Sequence, residues 1–215
     1  MITRQTIAIA AVGLMMVTAG CGFITGEEAL TFSASPATVS DQAVSDAGYE
    51  EVSVTEQTVT RNFSAADQTR QVKVTNQLAQ YERQVDLGPL GSKRAAVFVA
   101  FASPEVKVAT ETFNPIAEMS EREILQQFES EYESISVGDR IDNRTVTVLG
   151  QSTAVEKFEG TATLAGSQVE VYIHATKLKH EGDHIVAVAI HPQRLDGEEQ
   201  NVITLLEGLE HSENN

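Results

Sequence analysis

The chain has 215 residues, with 15 basic against 31 acidic side chains and a formal net charge of -16. A field of that sign repels phosphates and argues against nucleic acid as a direct partner, and a hydrophobic share of 41% argues against disorder. The acidic residues run from Glu27 to Glu213 among apolar ones, the pattern of a solvated folded surface rather than an acidic arm. There are 6 Lys, no Trp and a single Cys. High acidity with sparse lysine suits a protein kept soluble where salt screens charge and favours hydrophobic association, although an acidic protein at ordinary salt has the same composition. One cysteine leaves the fold without an internal disulfide.

The first twenty residues read as an export signal. Arg4 is their only charge, and the apolar run Ile7–Val17 of 11 residues follows it. That run is too short for a bilayer, which takes about 20 apolar residues. It ends in Thr18-Ala19-Gly20-Cys21-Gly22. Small residues let the chain lie extended in a peptidase cleft, and the thiol of Cys21 is the nucleophile that takes lipid. The expected organisation is a signal peptide over 1–20, a lipidated Cys21 with a short tether to 29, and a single domain over 30–215. Residues 22 to 29 reach roughly 15 Å, which places the domain close to the membrane surface.

In chain order, Leu30 to Ala34 alternates as an edge strand, and Ser40 and Gly48 bracket a short helix as N-cap and C-terminal stop. Glu50–Arg61 and Gln71–Val85, rich in Val, Thr and Tyr, predict a long hairpin turned near Ala65-Ala66-Asp67. A loop over Asp86–Ser92 leads to a buried strand, Lys93–Ala102, and a second strand spans Val106–Phe113. Ser120 and Glu123 form a capping box for a helix carrying Ile124, Leu125, Phe128, Tyr132 and Ile135 on one face. Four strands follow, near Thr145–Leu149, Ala154–Leu164, Gln168–Leu178 and Ile185–His191. A closing helix starts near Asp196, with Val202, Leu205, Leu206 and Leu209 on one side. The expected class is α+β, with a largely antiparallel sheet and about three helices, the two longer ones packing on it.

Two-residue turns at Ala165-Gly166 and Glu181-Gly182 fix a register. Ile173 then lies opposite Phe158 and Ile190, an apolar row against which the closing helix is expected to pack. The other face sets Tyr172 opposite Glu159 and His191, beside a His174–Lys157 pair. Glu159, His174 and His191 are its candidate metal ligands. The bland alternative, a polar face open to water, outweighs them, because no third ligand is fixed and Lys157 opposes a cation. The loop Leu87–Arg94 places glycines before two cations but lacks phosphate-loop spacing. His180, Glu181 and Asp183 read as turn residues. Asn62 and Asn143 head glycosylation sequons. No catalytic residue, resident metal or cofactor is assigned.

The strings Thr18-Ala-Gly-Cys21-Gly, Phe32-Ser-Ala-Ser-Pro36, Val85-Asp-Leu-Gly-Pro-Leu-Gly-Ser92, Thr112-Phe-Asn-Pro115 and Lys157-Phe-Glu-Gly160 resemble an uncharacterised family of haloarchaeal lipoproteins. Thr18 departs from the usual Leu of the lipidation motif. The resemblance implies an extreme-salt archaeal cell surface, with lipid at Cys21 as the membrane partner, and carries no activity. The second half also resembles the PsbP-like fold of photosystem extrinsic proteins, a likeness of fold alone. The expected role is a non-enzymatic, lipid-anchored binding module for a small ligand or a membrane-protein partner. Its alternatives are an envelope structural or quality-control accessory and, behind it, a hydrolase.

Overall fold

Long strands set the architecture, and their lengths overturn the α+β expectation. A computed structural model describes residues 29–65, 68–86, 92–108, 111–131, 135–164 and 167–212. Of these, 66% lie in strands and 19% in helices. The strands of the main sheet are β1 (Leu30–Ser33), β3 (Glu50–Ala65), β4 (Gln68–Asp86), β5 (Ser92–Pro104), β8 (Ile135–Val148), β9 (Gln151–Leu164), β10 (Ser167–His180) and β11 (Asp183–Pro192). Four short helices accompany them: α1 (Asp41–Ala47), α2 (Pro115–Glu118), α3 (Glu121–Glu131) and α4 (Glu198–Glu207). The protein is therefore mostly β.

From one edge the order is β3, β4, β5, β11, β10, β9, β8, all antiparallel neighbours. The sheet is mixed because β1 runs parallel to the first part of β4, pairing Leu30 with Val72 and Ser33 with Thr75. Two small pairs complete the set. β2 (Thr38–Val39) pairs with β12 (Leu209–Glu210), and the expected strand over 106–113 is instead a hairpin of β6 (Val106–Val108) and β7 (Glu111–Phe113).

The helix signals were sound and too generously extended. Ser40 Oγ accepts from the Ala43 amide, and Gly48 at φ 69° donates back to Val44 and Ser45, the left-handed stop that a side chain would resist. Ser120 and Glu123 exchange the two bonds of a capping box, at 2.7 and 3.3 Å. Ile135, expected on that helix, begins β8. The sequence from Ser136 to Arg144 is polar without alternation because β8 is an edge strand, bulged between Val137 and Asp142, that needs only one neighbour. Tyr132 lies outside the described residues.

Both faces of the sheet are covered, each by a different helix. Against α3, through Ile124 and Leu125, lie Phe158, Ala162, Val171, Ile173, Ala175, Val186 and Val188. On the opposite face, Val202, Leu205 and Leu206 of α4 pack with α1 over Tyr81, Phe98, Val148, Val155, Ile185 and a carpet of alanines that includes Ala79, Ala100, Ala187 and Ala189. The expectation that the closing helix covers Ile173 is thus reversed. Small side chains admit a helix close to the strands, and α1 and α4 touch so tightly that a Cβ at Gly208 would collide with that of Ala43.

Candidate functional site

The predicted register holds residue for residue where the strands are described. Ile173 pairs with Phe158 and Ile190, Tyr172 with Glu159 and His191, and His174 with Lys157. At the second turn, Glu181 (φ 47°) and Gly182 (φ 89°) both take positive φ, as a two-residue hairpin loop matched to strand twist requires.

What the register brings together differs from an open polar face. His174 and His191 are 3% and 2% exposed. Their rings stack at 5.2 Å between centres and 15° between planes, with Nε2 atoms 3.1 Å apart. Burial drives the His174 pKa down to about 3, and the facing His191 and Lys157 push the same way. Burial also lowers His191. Both rings are neutral at pH 7, one donating to the other. Lys157 lies 3.6 Å from the centre of the Tyr172 ring and pairs with Glu199 of α4, which Arg144 also reaches at 3.2 Å. The Lys157 bond holds the Glu199 carboxyl down to about 2. Of the candidate ligand set, Glu159 stays exposed while the imidazoles are sealed and bonded to each other. The reading of this face as open to water is corrected at the histidines, which are buried.

Deeper under α4, Glu198 is fully buried and accepts from Tyr49 Oη at 2.6 Å, from Asn201 at 3.2 Å and from Arg83. Burial foremost, and then the bond to Glu198, raises the Tyr49 pKa. This network ties α1, β4 and α4 together. It had no signal in the sequence beyond an acidic residue placed to suit a helix dipole.

The feature that sequence reading missed is a concavity on the Ile173 face. Helix α3 covers only part of that face, and between its Leu125 and Phe128 and the strands β4 and β5 lies a cavity of about 190 Å³. Leu78, Val97, Val99, Val188 and Ile190 form much of its apolar wall, while the lining also includes the polar Gln80 and Arg94. Arg94 bonds Glu82 at 2.7 Å, and Gln80 reaches the same carboxylate oxygen at 3.1 Å. The cavity is short of the roughly 300–1,000 Å³ of drug-sized pockets, and fits an acyl chain end or an aromatic ring.

Elsewhere, His180 and His211 meet at the β10–β11 hairpin tip beside Asp183. Asn62 and Asn143 are exposed on the edge strands β3 and β8. Of the glycine loop before Arg94, residues 87–91 lie outside the described residues, as do Cys21 and all of residues 1–28, where a signal and tether are expected. No described helix is long and apolar enough to cross a membrane. Residues 36–210 match a family model described as a domain of unknown function (DUF6517). No curated protein matches the chain.

Proposed function

The chain belongs to the DUF6517 family of domains of unknown function, and from that premise we propose that it is a non-enzymatic binding module. Its ligand is a small apolar group carrying a hydrogen-bond acceptor, taken into the groove between α3 and the sheet. The observation that carries this reading is the apolar wall of that cavity, with the polar Gln80 and Arg94 in its lining, the combination of bulk and orientation that ligand sites use. The two histidines singled out by the sequence hydrogen-bond to one another and are buried, which supports binding over proton transfer. The module is held at the outer face of the membrane of a halophilic archaeon through lipid on Cys21. The small-residue context of that cysteine and the acidity of the chain support this placement.

Titration of the protein with 1-anilinonaphthalene-8-sulfonate, an apolar anion, tests the groove. The expected result is saturable one-to-one fluorescence enhancement, lost in Val97→Trp with the melting temperature preserved. Enhancement that never saturates, or that survives the substitution, would reject the groove as a ligand site. A second reading, docking of a partner chain, draws on exposed Val52, Val54 and Val59 of the edge strand β3.

A further inference from the structure

Three side chains at the β10–β11 hairpin tip converge with no part in the groove. His180 ends β10, Glu181 is the first turn residue, and His211 follows β12 at the end of the chain. One ligand atom from each lies within 4.8 Å of the others. The Nδ1 atoms of His180 and His211 are 3.0 Å apart, and the rings cross at 73° so that neither face shields the other's nitrogen.

The decisive neighbour is Asp183. Its Oδ2 lies 3.1 Å from His211 Nε2 and also accepts the Ser35 amide at 2.8 Å. The His211 side chain is wholly buried and that of Asp183 nearly so. A carboxylate held this way accepts a hydrogen bond from His211 Nε2–H and fixes its tautomer, leaving the Nδ1 lone pair aimed at His180. This is how outer carboxylates orient metal-binding histidines. His180 needs only to move its own proton from Nδ1 to Nε2 to present a second lone pair. Glu181 is exposed and His180 partly so, which gives an ion an entry path to a pair whose other half is rigid.

We propose that His180, Glu181 and His211 bind a divalent transition-metal ion, with Asp183 as the positioning residue. Two imidazoles and one carboxylate select ions such as copper, nickel or zinc over magnesium or calcium. At metal–nitrogen distances of about 2.0–2.1 Å, nitrogens 3.0 Å apart subtend roughly 90–95° at the ion. That is the angle between neighbouring ligands in square or octahedral coordination and tighter than a tetrahedron, so copper and nickel fit best. His180 and Glu181 read only as turn residues because His211, which completes the site, stands alone in a polar tail far along the chain.

The test is calorimetric titration of the protein with copper(II), nickel(II), zinc(II) and magnesium(II) at pH 7.5. One equivalent of copper or nickel should bind with micromolar or tighter Kd, and magnesium should not bind. His180→Ala, at a partly exposed position, should weaken binding at least tenfold without lowering the metal-free melting temperature. Asp183→Asn, with all three ligands intact, should weaken it about 10–100-fold. Electron paramagnetic resonance of the copper-loaded parent should show nitrogen hyperfine splitting, a readout that needs no variant. Absence of tight binding, absence of that splitting, or equal affinity in His180→Ala would each overturn the assignment; the last would move the ion to another site such as His174 and His191.

Discussion

His174 and His191 face one another across neighbouring strands, Nε2 to Nε2 at 3.1 Å, buried on the face that α4 packs against. Burial disfavours a charge on either ring, so the pair is a stability element with a pH dependence of definite sign. The folded pKa of His174 lies near 3, below its unfolded value of about 6.5. The unfolded chain therefore binds protons first as pH falls. Stability is full above about 6.5 and declines from there down towards 3.

Between pH 7 and pH 5 that single group removes about 2 kcal/mol. The melting temperature should fall over this interval, before most carboxylates titrate. In His174→Leu the fall should be visibly shallower, although the variant starts from lower stability. Equal slopes for parent and variant would show that the pair does not carry the dependence.

Glu198 is a buried carboxylate with three donors, and removing it leaves the buried Tyr49 hydroxyl and the part-buried Arg83 without their partner. Glu198→Ala should cost about 3–5 kcal/mol, measured by denaturant unfolding, and most of that loss belongs to the unpaired Arg83 and Tyr49. A loss below 1 kcal/mol would mean that water reaches the network.

Salt should act strongly on this chain. The proposed cleavage after Gly20 would remove only Arg4 among the charges, leaving 14 basic against 31 acidic side chains. Repulsion among the carboxylates opposes the compact state, and the screening length shrinks to about 3 Å at 1 M salt. Each 1 kcal/mol of relieved repulsion raises the melting temperature of a domain this size by about 2–4 °C. A steep rise from 0.1 to 2 M potassium chloride is expected, and a flat profile would remove the high-salt reading.

Anchoring is tested by Cys21→Ser. Two acyl chains hold stably where one does not, at about 0.8 kcal/mol per buried methylene. The variant should pass from the membrane to the soluble fraction, and retention as firm as the parent's would show that lipid on Cys21 is not the anchor.

Much of the strand pairing was legible because turns fix register: Glu181-Gly182 alone sets Tyr172 against His191 and Ile173 against Ile190. The faces were harder to read. The α4-facing side presents Ala187, Ala189, His191, His174 and Thr176, and a stripe of alanine, threonine and histidine reads as polar beside the valines of the opposite face. Burial there comes from the packing of α4, which no local pattern in β10 or β11 encodes. The first part of edge strand β8, before the strand expected near Thr145–Leu149, escaped for the converse reason, since a strand bonded on one side tolerates a polar run such as Ser136 to Arg144. The groove and the hairpin-tip cluster both join residues from distant parts of the chain, and neither leaves a spacing to find.

An early and a late segment of the described chain are stitched to each other. Val39 pairs with Leu209, Thr38 with Glu210, and one oxygen of Asp183 receives both Ser35 and His211. Contacts that close almost the whole length of a chain form late, because the loop entropy is lost before they can return anything. A chain that entered an export channel from its N-terminus, the route proposed for this one, would complete these contacts only after residues 209–211 had emerged. Any factor sheltering it in transit would then hold a sheet still open at the place where the two segments meet.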